Sequence, residues 1–250
     1  GALYIRGASL SLEHCRIVSS TASPGGGIAV IEDDTSGPAA LSTSDCVIEN
    51  CTSTAWGGGL YKYQADLQLL RTRVVNNSSP GEGGGLYALL GQAILEDCHF
   101  VGNSGNIGGA FIDSDSATIT RCVFAGNSVN GGFGWTDLGI AECVTVVSGC
   151  LFEGTSAPGI SIILDPWFTG SRIRFVGNVV RNHSTYDISS TVDMYGCENG
   201  EFAYNLIQDN MNTNGGAILI SGRYNPRVHH NAFINNVTSD TFGSVIHVQV

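Results

Sequence analysis

The residues best equipped to hold a ligand fall in one stretch of the chain. Trp135, Asp137, Asp165, Trp167 and Phe168 set aromatic rings beside carboxylates, and the guanidinium groups of Arg172 and Arg174 follow closely. Rings of this kind stack on the apolar faces of sugars, while carboxylates and guanidiniums hydrogen-bond hydroxyl and acid groups. These seven residues are the candidate binding set. The competing assignment is that the rings fold back to cover the end of a core.

Candidates for bond-breaking chemistry are fewer. Asp33-Asp34 and the pair Asp113 and Asp115 could supply the two carboxylates that glycosidases use, but each sits in a polar segment where turn chemistry alone accounts for aspartate. The polygalacturonase motifs Asn-Thr-Asp, Gly-His-Gly and Arg-Ile-Lys are absent. The six histidines do not converge: His14 and His99 lie far apart, and His229 and His230, adjacent in an extended segment, point to opposite faces. Gly131-Gly132-Phe133-Gly134-Trp135-Thr136-Asp137 approaches a calcium-binding nonapeptide, yet its aspartate comes one residue late and no second copy follows. No catalytic residue, metal ligand or cofactor is therefore assigned, and the sequence leans against an enzyme.

Composition limits the partners. The formal charge is -11 with only 11 Lys and Arg, which disfavours nucleic acid and anionic membrane surfaces. No run of about 18 apolar residues is present to span a bilayer as a helix. With 42% hydrophobic residues the chain can build a core, and 34 glycines against 6 prolines suit many short strands and tight turns.

What positions the candidate residues is a repeat. The pattern apolar-x-apolar-x-x-(Cys/Asn)-x-(Ile/Val/Phe)-x-x-(Asn/Ser/Thr), followed by a polar turn and Gly-Gly, recurs nine times. Its anchor falls at Cys15, Cys46, Thr72, Cys98, Cys122, Cys150, Asn178, Asn205 and Asn231, a mean step of 27 residues. Two places on stand Ile17, Ile48, Val74, Phe100, Phe124, Phe152, Val180, Ile207 and Phe233, a core column. Five places after the anchor, Asn77, Asn103, Asn127, Asn210 and Asn236 suggest an amide ladder at a bend.

Gly-Gly pairs at 26–27, 58–59, 84–85, 108–109, 131–132 and 215–216 mark the opposite bend. Just before the anchor, His14, Asp45, Arg71, Asp97 and Arg121 alternate in charge, as stacked outer residues would; Arg174, Glu201 and Arg227 do the same elsewhere. Short strands at this period cannot bury a face alone but can when coils stack.

The expected fold is therefore all-β: a right-handed, single-stranded parallel β-helix of about nine coils of ~27 residues, one domain over residues 1–250, uncapped at both ends. Gly1-Ala2-Leu3-Tyr4 reads as the tail of a repeat already under way and the chain stops in a strand at Val250, as expected of a piece of a longer protein. Residues 134–144 and 163–172 read as long loops on adjacent coils that would gather the candidate binding residues. The anchor cysteines, pointing the same way on neighbouring rungs, read as buried free thiols; Cys143 and Cys197 fall outside the column.

Gly84-Gly85-Leu86-Tyr87, Gly108-Gly109-Ala110-Phe111 and Gly215-Gly216-Ala217-Ile218, with Phe100-Val101-Gly102-Asn103, Phe124-Ala125-Gly126-Asn127 and Phe233-Ile234-Asn235-Asn236, resemble the repeats of the polymorphic outer-membrane proteins, which are autotransporter passengers. The repeat is similar also to pectin-lyase-like proteins. Pro158-Gly159 and Ser189-Ser190 depart from it where Gly-Gly would stand.

The resemblance implies an extracellular or cell-surface β-helix of a bacterium, anchored in the outer membrane through other regions, with glycans or molecules of host or neighbouring cells as partners. The function expected first is non-enzymatic adhesion, display or assembly. A carbohydrate-active lyase or hydrolase is the alternative, and a filament formed by end-to-end self-association is the third.

Overall fold

Each repeat folds into one coil, and its strands lie against the matching strands of the coils before and after. The computed structural model describes residues 1–32, 35, 37–131, 134–141, 144–154, 156–158, 160–165, 172–186, 190–195, 199–213, 216–221, 226–239 and 245–249. Three long sheets run along it. The first has ten strands, from Leu3–Arg6 to Ile246–Gln249. The second has nine, from Ser9–Glu13 to Arg227–His229, and the third nine, from Arg16–Val18 to Ala232–Ile234. Neighbours in a sheet come from successive coils and pair in parallel, so the expected parallel β-helix is the fold observed.

The register of the third sheet is the core column read from the repeat. Ile17 pairs Ile48, and the line continues through Val74, Phe100, Phe124, Phe152, Val180 and Ile207 to Phe233. Its middle members are fully buried. Phe124 stacks on Phe100 and Phe152 with ring centroids 5.0 and 4.9 Å away, and Phe175 and Phe202 of the second sheet stack at 5.2 Å. Strand alternation sends Leu60 and Lys62, Leu86 and Ala88, or Ala110 and Ile112 into the same interior from the first sheet.

Both bends that flank the third sheet use one device: a single residue in the left-handed region, followed by an inward polar or thiol side chain. His14, Asp45, Arg71, Asp97 and Arg121 have φ of 45–54° and each precedes an anchor residue. Because they are turn residues stacked on the outside, opposite charges meet: Arg71 reaches Asp45 at 2.7 Å and Arg121 reaches Asp97 at 2.8 Å. These pairs are largely exposed, so they align coils more than they stabilise them.

The inward side chains form the ladders. Asn103 Nδ2 donates to the Val74 carbonyl at 2.8 Å and to Asn127 Oδ1 at 3.2 Å, while Asn103 Oδ1 accepts from the Asn77 backbone N–H at 3.0 Å. Asn178, Asn205 and Asn231 repeat this pattern at the anchor bend. Where the anchor is cysteine, the thiol donates weakly to backbone, as Cys98 Sγ does to the Leu69 and Glu96 carbonyls at 3.3 Å. Cys15, Cys46, Cys51, Cys98, Cys122 and Cys150 are free thiols, and all except Cys15 are buried. Cys143 and Cys197 lie outside the described residues.

The third bend needs glycine because coils approach there backbone to backbone. A Cβ on Gly85 would stand 2.5 Å from the Gly109 carbonyl oxygen and 3.1 Å from the Asn103 amide. The pairs at 26–27, 58–59, 84–85 and 108–109 occupy this bend, directly before Ile28, Leu60, Leu86 and Ala110. The later assignments shift. Leu138 is the partner of Ala110, so Thr136-Asp137 stand at the bend instead of the pair at 131–132. By the same register Ser161, Thr191 and Ala217 take the second glycine's place in the next three coils, one residue or more beyond the positions expected.

Candidate functional site

The structure does not gather the described candidate residues into one site. Trp135 opens the strand Trp135–Ala141, pairs with Ile160 and bridges Ile107, so residues 135–141 are a strand of the first sheet and not the loop expected of them. The cause is alternation: Leu138 and Ile140 drop into the core, and Thr136 with Asp137 form an irregularity in the register opposite Ser161. Asp137 is wholly buried, which removes it from any surface site. Asp165 ends the strand Ile160–Asp165, and Trp167 and Phe168 lie outside the described residues. Arg172 and Arg174 are exposed on the outer face of the second sheet.

Around Asp137 the side chains that replace glycine make a buried polar cluster. Asp137 Oδ1 accepts from Asn127 Nδ2 at 2.9 Å, and Asp137 Oδ2 lies 3.9 Å from His183 Nδ1. The same His183 nitrogen is 2.9 Å from Ser161 Oγ. Burial pushes Asp137 up to about 7 and His183 down to about 4. Serine, histidine and aspartate are the residue types of nucleophilic catalysis, but that chemistry divides the two imidazole nitrogens between nucleophile and carboxylate. Here both neighbours face one nitrogen inside the core, and the arrangement is structural.

An aromatic stack lies elsewhere, on the outer face of the first sheet, with Tyr87 buried at its centre and Tyr61 and Phe111 half-buried on either side. Tyr61, Tyr87 and Phe111 are paired residues of three successive strands, Leu60–Tyr63, Leu86–Leu89 and Ala110–Asp113. Parallel pairing in register places like on like, so their rings stack outward, Tyr61 on Tyr87 at 5.7 Å and Tyr87 on Phe111 at 5.4 Å. Trp56, from the turn before the first of these strands, stacks on Tyr87 at 6.0 Å and keeps 45% of its surface exposed. Glu82 stands close: burial raises its carboxyl, and burial first and then the Glu82 charge push Tyr87 up to about 12. The arrangement is a flat aromatic platform with a carboxyl at its edge.

This platform was missed in the sequence although its signal was there. In Gly59-Leu60-Tyr61, Gly85-Leu86-Tyr87 and Gly109-Ala110-Phe111 the residue after Gly-apolar is aromatic three times running. Treating those two residues as one apolar pair hid the period of 2 that sends the first in and the second out.

Comparison of the chain with known families bears on what kind of scaffold carries this platform. The family described as right handed beta helix region matches residues 1–166. The chain belongs to that family. No curated protein and no solved structure gives a significant match.

In this right-handed β-helix the aromatic platform lies within the matched segment, whereas Arg172 and Arg174 follow it. Arg174 Nε donates to Glu201 Oε2 on the next coil at 2.8 Å, the cross-strand pair expected from the alternating column. Among the described residues, no group of three or more His, Cys, Asp or Glu side chains could hold a metal ion, and no helix is long and apolar enough to cross a membrane.

Proposed function

We propose that this right-handed β-helix is a non-enzymatic solenoid of the cell surface or extracellular space that acts in adhesion by presenting its aromatic platform to glycans. The observation that carries this reading is the outward stack of Trp56, Tyr61, Tyr87 and Phe111 with Glu82 at its edge. Outer faces of sheets are ordinarily polar, whereas this one carries four rings: Trp56 is exposed, Tyr61 and Phe111 are half-buried around a buried Tyr87, and the ring surface left open suits a partner with flat apolar patches of its own. Pyranose rings have such patches, and hydroxyls for the carboxyl to accept from. A parallel stack of coils also holds the rings in place without an ordering cost on binding. The resemblance of the repeats to autotransporter passengers supports the location and the adhesive role.

The test is a glycan array probed with the protein and with Trp56→Ala, both checked for unchanged melting. A platform that holds sugars gives binding that falls by about thirtyfold or more on loss of the indole, the effect of truncating an aromatic anchor. Glycan binding that survives Trp56→Ala intact would remove the platform from this role. Release of shortened or unsaturated sugars from a bound glycan would replace adhesion with the carbohydrate-active alternative.

A further inference from the structure

A cleft lies on the outer face of the second sheet. In a chain with a formal charge of -11 and only 11 Lys and Arg, three arginines converge there. Strand alternation aims Arg172 and Arg174 outward from one coil, Asn199 and Glu201 from the next, and Arg227 from the one after. Together with Gly200 they line a cleft of about 430 Å³.

Among the described residues the charges in this cleft are not balanced. Arg174 is held by Glu201 at 2.8 Å, and the second oxygen of Glu201 meets His229 Nε2 at 3.2 Å. The single carboxylate among the described lining residues is thus taken up by two partners. Among the described residues neither Arg172 nor Arg227 has a carboxylate partner. Both line the cleft, and a guanidinium offers paired N–H donors in the geometry that suits a carboxylate or sulfate group.

We propose that this cleft binds oxyanion groups, carboxylate or sulfate, carried on an acidic saccharide chain. Stacked coils set Glu201 and Arg227 about one strand spacing, ~4.8 Å, apart. Arg172, Arg174 and Arg227 therefore span two coil steps, enough to meet two charges on an extended polymer. Among the described residues the lining is arginine, asparagine, glutamate and glycine, with none of the apolar side chains from which peptide partners draw affinity. A sugar needs hydrogen-bond donors and a flat ring, and the ring is at hand: Tyr204, 59% exposed, stacks on His230 at 4.8 Å, beside the His229 that touches Glu201. The site is independent of the aromatic platform, which belongs to the first sheet.

Titration calorimetry at low salt with four probes tests this: a sulfated heparin-derived hexasaccharide, hexagalacturonate, uncharged cellohexaose and hexaglutamate. The cleft should bind at least one of the two charged saccharides, the better one identifying sulfate or carboxylate as the source of the oxyanion. It should bind cellohexaose and hexaglutamate at least tenfold more weakly. Arg172→Gln/Arg227→Gln should weaken the charged saccharide by about tenfold or more, the loss of two charge-assisted contacts. Arg172→Lys/Arg227→Lys, which keeps the charge and loses the fork, should fall between and serves if the first variant melts early. Arg16→Gln on the third sheet should leave the affinity unchanged. Failure of both charged saccharides to bind, equal binding by the glutamine variant, or hexaglutamate binding as tightly would overturn the proposal.

Discussion

Asn127 Nδ2 donates a 2.9 Å hydrogen bond to Asp137 Oδ1, and with this contact the amide ladder running through Asn77 and Asn103 ends on a buried carboxyl. An aspartate can replace the next asparagine as acceptor, but only by giving the core a group that titrates. The second oxygen of that carboxyl has no hydrogen-bond partner among the described residues, which is why burial dominates its acidity.

That carboxyl and His183 should give opposed pH dependences. Asp137 is raised from 3.8 to about 7, so the stability it contributes is full below its unfolded value and is lost as pH rises through the folded one. His183 is lowered from 6.5 to about 4, so its contribution is present above 6.5 and lost as pH falls toward 4. Between these limits the two slopes, each about 1.4 kcal/mol per pH unit, offset one another. Asp137→Asn keeps an acceptor for Asn127 and removes one slope. Urea melts between pH 4 and 6.5 should show the stability of the variant, relative to wild type, rising with pH by about 1.4 kcal/mol per unit. Parallel profiles would mean that Asp137 ionises without penalty.

The anchor column gives a comparison of amide with thiol. Asn205 accepts from the Asn178 backbone N–H at 2.8 Å and donates to the Phe175 carbonyl at 2.9 Å and to Asn231 Oδ1 at 3.0 Å. Asn205→Leu leaves these groups buried without partners, at about 1–3 kcal/mol each. Cys122→Ala loses a small apolar group and a 3.4 Å contact with the Thr120 carbonyl. Thermal melting should place Asn205→Leu well below Cys122→Ala; coincident transitions would count against the ladder.

Glycine substitutions should divide by location. In Gly85→Ala the new methyl meets carbonyl oxygen of the next coil at 2.5 Å, and the stacked backbones can yield only by separating. A loss of roughly 3 kcal/mol or more is expected, at the upper end for overpacking. Gly126 has φ of 59° and nothing within 4 Å of a built Cβ. The corresponding turn residues of other coils are Asn50, Asn76 and Asn235, at φ of 53–54°. Gly126→Asn should therefore change stability by less than about 1 kcal/mol. Chemical denaturation of the two variants measures the difference.

The contrast between what the repeat revealed and what it hid follows from where selection on residue type is strict. The column from Ile17 to Phe233 and the asparagines at 77, 103 and 127 must be inward and alike in every coil, so position and type recur together and the sheet register could be read directly. Asp45 with Arg71 and Asp97 with Arg121 were legible for the same reason, since charges that stack must alternate. Reading failed where a coil departs from the rule. At Thr136-Asp137 and Ser161 the glycine bend is filled by side chains that pair with the neighbouring ladder, and no repeat pattern announces such a replacement. The candidate site inherited that error, because a misplaced bend turned the strand Trp135–Ala141 into a loop.

Inner and outer aromatic stacks should respond differently to truncation. Phe124 is fully buried between Phe100 and Phe152, so Phe124→Ala opens a cavity that rigid coils above and below cannot close. A loss of about 3–5 kcal/mol is expected, with the transition still cooperative. Phe111 stacks on Tyr87 at 5.4 Å on the outer face and is only half-buried. Phe111→Ala forfeits the ring contact and part of its area, about 1–2 kcal/mol, because water fills the space instead of a void. Its larger effect should be on ligand: with Phe111 gone the platform is one ring shorter, and glycan affinity should fall while the melting temperature moves little. Equal destabilisation by the two substitutions would mean that the outer rings are a second core covered by other parts of the protein, and the platform would lose its claim to be a binding surface.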